Sequence, residues 1–126
     1  MNRIEQQHHI AIVEYLRTVL PSHWKVVHYP SGGYRTPFEA KTFKRMGVVA
    51  GFPDIMILGD SVTGPRCWFV EVKAPKGTAS IYQRQFHESL RELGFKVAVI
   101  HNIDEARTAA EVWKLPMREK KFSQTA

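Results

Sequence analysis

The sequence predicts an α/β domain, a central mixed sheet flanked by helices in the element order αβαββαβα. Three observations predict it. Short apolar runs of strand length alternate with segments whose apolar residues recur at helical spacing. Two of those runs, Asp54–Leu58 and Cys67–Lys73, are separated by a stretch of turn formers, as a hairpin requires. A hydrophobic fraction of 44%, with seven Phe and three Trp, is enough to build a core between sheet and helices.

The first helix starts near Asn2 and ends before Pro21, with Ile4, Ile12, Tyr15, Leu16 and Val19 at helical spacing. Lys25–Tyr29 is a short strand, followed by a turn at Ser31-Gly32-Gly33. Thr36 is placed to cap a second helix, Pro37 suits its first turn, and Glu39 completes a capping box. That helix carries Lys41, Lys44 and Arg45 and stops at Gly47, a residue suited to a left-handed terminus. Strand 54–58 follows Gly51-Phe52-Pro53, residues 59–65 read as a turn, and strand 67–73 pairs back. Ser80–Leu93 is an amphipathic helix with Tyr82, Phe86, Leu90 and Leu93 on its apolar face. Strand 95–100 and a helix from about Asp104 to Trp113 complete the order, and Pro116 ends that helix.

At 126 residues the chain suits a single domain over residues 1–116, with a flexible basic tail at 117–126. The lone Cys67 excludes an internal disulfide and fits no zinc spacing, which points to a reducing cytoplasm. No apolar run resembles a signal peptide or a bilayer span, so no membrane partner is expected. The net charge of +6 favours a polyanionic partner. Residues 25–50 alone carry Lys25, Arg35, Lys41, Lys44 and Arg45 against a single acid, Glu39. Ordinary solubilising charge explains such a segment equally well.

The chemistry lies where two apolar strands are broken by charge. Asp54 opens one strand, and Glu71 and Lys73 close its hairpin partner. Buried strands should be nearly all apolar, and charged side chains are seldom buried unless paired or bound to a metal. Side chains alternate along a strand, so Glu71 and Lys73 share a face, while the carbonyl of Val72 can still turn toward it. In-register pairing brings Asp54 close to Glu71. Two carboxylates and a carbonyl make an all-oxygen site suited to Mg2+ or Mn2+, and Lys73 could orient a water or steady a phosphate. A lone Glu-x-Lys is usually a solvent-facing ion pair and a lone Pro-Asp usually starts a turn. Their combination across a predicted hairpin carries the inference.

These residues resemble the VRR-NUC branch of the PD-(D/E)XK nuclease superfamily. Met46–Asp54 is similar to that family's G-x-x-x-G-x-P-D segment, and Phe69–Ala74 with Gly77, Ser80, Gln83 and Phe86 is similar to its E-x-K block and following helix. The resemblance spans roughly residues 5–105. It implies a restriction-endonuclease-like core and DNA cleavage with Mg2+ or Mn2+. It also implies a branched substrate such as a four-way (Holliday) junction and a homodimer, whose two-fold symmetry would match that junction.

The resemblance further implies a metal-linked role for Glu5 and an active-site role for Gln83. Glu5 shares a helix face with Ile12 and Leu16, yet the helix dipole alone favours an acid there. Ser80-x-x-Gln83 is also a capping box, which accounts for the glutamine without chemistry. His28, Ser31, Gly33 and Arg35 form a polar loop that could approach a DNA backbone or simply turn the chain; Ser31 stands where related sequences often carry Asn. Lys41, Lys44 and Arg45 could bind phosphates with Lys25. The six histidines form no tight ligand pattern and read as surface or core residues. Tyr82, Trp68 and Trp113 read as core. The expected function is therefore a metal-dependent, structure-specific DNA endonuclease of bacterial or phage type. The competing reading is a catalytically silent DNA-binding subunit on the same fold, and a small-molecule phosphodiesterase is a third, which salt-insensitive binding would single out.

Overall fold

The structure, a computed structural model, describes residues 3–30 and 35–118. Its elements follow the expected order: α1 Arg3–Val19, β1 Lys25–His28, α2 Pro37–Arg45, β2 Ile55–Ser61, β3 Gly64–Val72, α3 Ile81–Glu92, β4 Lys96–Ile100 and α4 Ile103–Val112. The four strands lie in chain order, with β1/β2 and β2/β3 antiparallel and β3/β4 parallel. The sheet is therefore mixed, and α3 provides the crossover that a parallel β3/β4 pair needs.

Alternation along the strands sorts the core into two layers. On one face Val26, Ile55, Ile57, Trp68, Val70, Val72 and Ile100 pack with Ile12 and Leu16 of α1 and Ala106 and Ala110 of α4. Ile12 and Ile55 are fully buried, and each contributes roughly 2–3 kcal/mol of hydrophobic stabilisation. On the other face Phe69 and Val97 pack with Leu90 and Phe86 of α3 and with Phe52. This smaller second layer covers only part of its face.

The hairpin is longer than composition suggests. Residues 59–65 read as a turn, but β2 and β3 stay paired to Ser61↔Gly64, leaving only Val62 and Thr63 at the tip. Trp24 explains the extension. Its ring stacks on Trp68 with centroids 5.1 Å apart and lies so close over Gly59 that a Cβ there would sit 2.5 Å from it. Its indole N–H donates to Asp60 Oδ1 at 2.9 Å, so a turn-forming acid is used inside a strand.

The second helix starts and stops as expected. Thr36 and Glu39 form the reciprocal capping box, and Gly47 has φ +102° just past the C-cap. None of its residues is buried. Two apolar assignments differ from the sequence reading. Ile4 is 58% exposed, because the buried stripe of α1 is His9, Ile12, Leu16 and Val19. Tyr82 and Leu93 are also exposed, because α3 turns His87 and Leu90 inward instead. At the chain's end Met117 packs against the core, and the Arg118 N–H donates to the Val19 carbonyl at 2.6 Å. The rest of the expected tail lies outside the described residues. Among the described residues no helix is long and apolar enough to cross a membrane.

Candidate active site

The hairpin register decides the site. Ile55 pairs with Val70, so Asp54, one residue before β2, lies opposite Glu71. By alternation both side chains point to the α3 face, as Met56 and Phe69 do. Asp54 is 8% exposed and Glu71 is 1% exposed. Lys73, just beyond the end of β3, places Nζ 3.5 Å from Glu71 Oε2. The three residues singled out from sequence are thus brought together at one end of the sheet.

The backbone of Asp54 is clamped in place. Its carbonyl accepts the Tyr29 N–H at 2.8 Å and lies 2.8 Å from His28 Nδ1, which must be the donor because a carbonyl only accepts. Its Oδ2 accepts the Val72 N–H at 2.9 Å. Even so, burial first and the Glu71 carboxylate second push the Asp54 carboxyl up to about 6. Burial likewise raises Glu71, against the pull of Lys73. Two buried carboxylates with one ammonium beside them leave an excess of negative charge, which a proton or a cation must relieve. Glu71 Oε1 is buried and has no hydrogen-bond partner.

Gln83 caps α3 and touches Glu71 at the same time. Ser80 caps α3, and the Gln83 side-chain oxygen accepts the Ser80 N–H at 2.7 Å. That contact forces the amide nitrogen the other way, where it donates to Glu71 Oε2 at 3.0 Å. The loop before Asp54 is pressed against this first turn. Gly51 has φ +85°, and a Cβ on it would lie 2.5 Å from the Tyr82 carbonyl oxygen. Only glycine fits there, which gives the G-x-P-D segment a steric reason.

Two histidines that sequence reading left among surface and core residues flank the carboxylates. His87, one turn after Gln83 on α3, is 1% exposed and places Nε2 3.6 Å from Glu71 Oε1. His9 of α1 is buried, and its ring meets that of His28 edge-on at 4.3 Å between centroids. Burial, and then the neighbouring His28, lower the pKa of His9. The signal was spacing to acid and amide partners rather than to another histidine. His87 stands four residues after Gln83, and His9 four after Glu5, so each pair shares a helix face.

Glu5 is half-buried, and its charge is among the causes that raise Glu71. Among the described residues no three His, Cys, Asp or Glu side chains gather closely enough to hold an ion by themselves. The fit to a divalent cation therefore rests on the Asp54–Glu71 pair. All its donors are oxygens, one of them buried without a partner, and the surplus charge is negative. That set fits Mg2+ or Mn2+, hard cations that keep several waters.

The basic positions divide. Arg35 and Lys44 line a cleft of about 740 Å3 together with Gly51, Tyr82 and Gln83, and Gln83, whose amide touches Glu71, is the link between that cleft and the carboxylates. Lys41 and Arg45 are exposed elsewhere on α2. Lys25 pairs with Leu58, four residues along β2 from Asp54 and about 13 Å away at strand spacing. His28 sits at the carboxylate end as a clamp on Asp54. Ser31 and Gly33 lie outside the described residues.

Comparison with known proteins bears on the family and the fold. The model of the VRR-NUC domain family matches residues 6–102. A solved structure described as a VRR_NUC domain protein has the same fold. It gives a TM-score of 0.64 at 23% identity and covers 91% of this chain and 92% of its own. No curated protein sequence matches the chain.

Proposed function

From the premise that this chain belongs to the VRR-NUC domain family, whose function is of nuclease type, we propose that it is a divalent-metal-dependent, structure-specific DNA endonuclease. The observation that carries the proposal is the pairing of buried Asp54 with buried Glu71 beside Lys73, at the price of a carboxyl raised to about 6. A fold has no structural need to bury two adjacent acids, and a hydrophobic pair there would be more stable.

Asp54 and Glu71 would hold Mg2+ or Mn2+, with the Val72 carbonyl and Glu5 as further candidate ligands. When bound, the cation supplies Lewis acidity and a more acidic water. The chain's own residues do the rest. The Val72 N–H fixes one oxygen of Asp54, and Gln83 fixes one oxygen of Glu71, so the two carboxylates are preorganised. The Lys73 ammonium is poised to orient the attacking water or to neutralise charge on the phosphate. Arg35 and Lys44 place the DNA backbone, with Lys41, Arg45, Lys25, His28 and the 31–33 loop as further contacts. A four-way junction is the proposed substrate and a homodimer the proposed assembly.

The test is a cleavage panel of single-stranded, duplex, flap and four-way DNA with Mn2+. Wild type should cut, Asp54→Ala should not, and Lys73→Ala should cut far more slowly. Salt-sensitive binding without cleavage under any metal would instead support the silent DNA-binding subunit. On the side of that second reading, among the described residues no third His, Cys, Asp or Glu side chain gathers with the pair.

A further inference from the structure

Tyr82 is exposed where a core aromatic was expected, and its surroundings give that exposure a use. It precedes Gln83 on the first turn of α3. Successive helix residues point about 100° apart, so Gln83 faces Glu71 while Tyr82 turns outward. The side chain is 66% exposed. Its backbone is held rigidly, since the Gly51 loop packs directly on the Tyr82 carbonyl.

Tyr82 and Gln83 both line the cleft of about 740 Å3, together with Arg35 and Lys44. Val48 and Val49 supply apolar wall, and among the described residues no acidic side chain lines the cleft. Arg35 is held with its guanidinium carbon 4.4 Å from the centre of the Phe43 ring. The helix that contributes Lys44, α2, buries none of its residues. A duplex backbone is held by cations and hydrogen-bond donors and has no use for aliphatic walls. A cleft that joins cations to an exposed aromatic ring and aliphatic walls suits a nucleotide whose base has left the stack. The volume is that of an ordinary ligand pocket, roughly 300–1,000 Å3, and admits one or two nucleotides.

We propose that this cleft is a subsite for an unpaired nucleotide, with the base stacked on Tyr82 and the phosphate held by Arg35 and Lys44. The inference rests on the nuclease reading and narrows it. The preferred substrate carries an unpaired nucleotide near the cleavage site, as at the opened branch point of a four-way junction or at a flap.

The experiment uses the full chain in EDTA, where no hydrolysis competes, and DNA carrying 2-aminopurine as the unpaired nucleotide beside a duplex. Wild type should quench the probe by stacking. Tyr82→Ala should abolish the quench and weaken binding to this DNA roughly ten- to hundredfold, while binding to a fully paired duplex changes by less than about twofold. Tyr82→Phe should restore both, because the ring and not the hydroxyl is at work. In Mn2+, Tyr82→Ala should lose the preference for flap over duplex while still cutting duplex. Equal loss on both DNAs, loss on neither, or an undiminished quench in Tyr82→Ala overturns the subsite. Failure of the nuclease reading looks different: no DNA is cut with any metal, whatever the probe reports.

Discussion

Replacing Asp54 by Asn should abolish cleavage and yet make the metal-free protein more stable. Asp54 is raised from 3.8 to about 6, so above pH 6 its ionised form is held against a penalty of about 3 kcal/mol. The sign follows from linkage. The folded carboxyl binds its proton more tightly than the unfolded one, so the penalty is full above pH 6 and fades as pH falls toward 3.8. Asparagine removes the charge, can still accept the Val72 N–H, and can offer its amide to Glu71. At about 4 °C per kcal/mol for a domain of this size, full recovery would raise Tm by about 12 °C. Part of the gain goes to desolvating the amide, so a rise of about 4–8 °C is expected at pH 8 in EDTA, shrinking toward zero near pH 4. Thermal denaturation at the two pH values reads it directly. Mn2+ should then raise the Tm of wild type and leave that of Asp54→Asn nearly unmoved. A lower Tm for Asp54→Asn at pH 8, or a gain that grows on acidification, would refute the claim that unrelieved carboxylate charge is stored at this site.

Other substitutions separate the neighbouring roles. Lys73→Ala should lower kcat by roughly 10²–10³-fold while DNA affinity in EDTA changes little; cleavage kinetics set against binding measured by anisotropy check this. Gln83→Glu keeps an acceptor for the Ser80 N–H but sets a carboxylate where an amide donated to Glu71. Stability in EDTA should fall by about 1–3 kcal/mol at pH 8 and recover on acidification, whereas a residue that served only as a cap would tolerate the change. His87→Leu should weaken Mn2+ binding roughly tenfold by removing the polar ring 3.6 Å from Glu71 Oε1 that helps to set that carboxylate's orientation, and His87→Gln should restore part of it; electron paramagnetic resonance of free Mn2+ measures both. Gly51→Ala forces a side chain into the left-handed region and against the Tyr82 carbonyl, so it should cost about 2 kcal/mol or more in denaturant unfolding.

The hairpin was legible because every local signal agreed. Apolar runs, a turn between them, and charged residues only at the ends that meet left one register in which the core positions face inward, and that register pairs Asp54 with Glu71. The second helix was legible for the same reason, since Thr36, Pro37, Glu39 and Gly47 each satisfy a backbone requirement that no tertiary contact overrides. The length of the hairpin was not. Gly59 and Asp60 are turn formers by composition, and only the distant Trp24, which covers one and donates to the other, makes them strand residues.

The third helix shows why the site itself was only half legible. Its apolar residues at 82, 86, 90 and 93 define a plausible buried face, but the structure turns the helix so that Gln83, Phe86, His87 and Leu90 point inward. A buried carboxylate explains the rotation. Glu71 is 1% exposed, and its oxygens face the Gln83 amide and the His87 ring, so polar residues had to take positions that periodicity assigns to apolar ones. Tyr82, displaced from the first turn, is then left in solvent; Leu93 is exposed as the C-cap beyond the helix's last residue. Hydrophobic periodicity thus fails over the first turns of α3 for a local electrostatic reason, and holds again at Leu90, where the helix passes over Phe69 and Val97 instead of the carboxylates. A helix following an E-x-K strand should therefore be read from its polar residues first, because the acid at the strand's end decides which of its faces is buried.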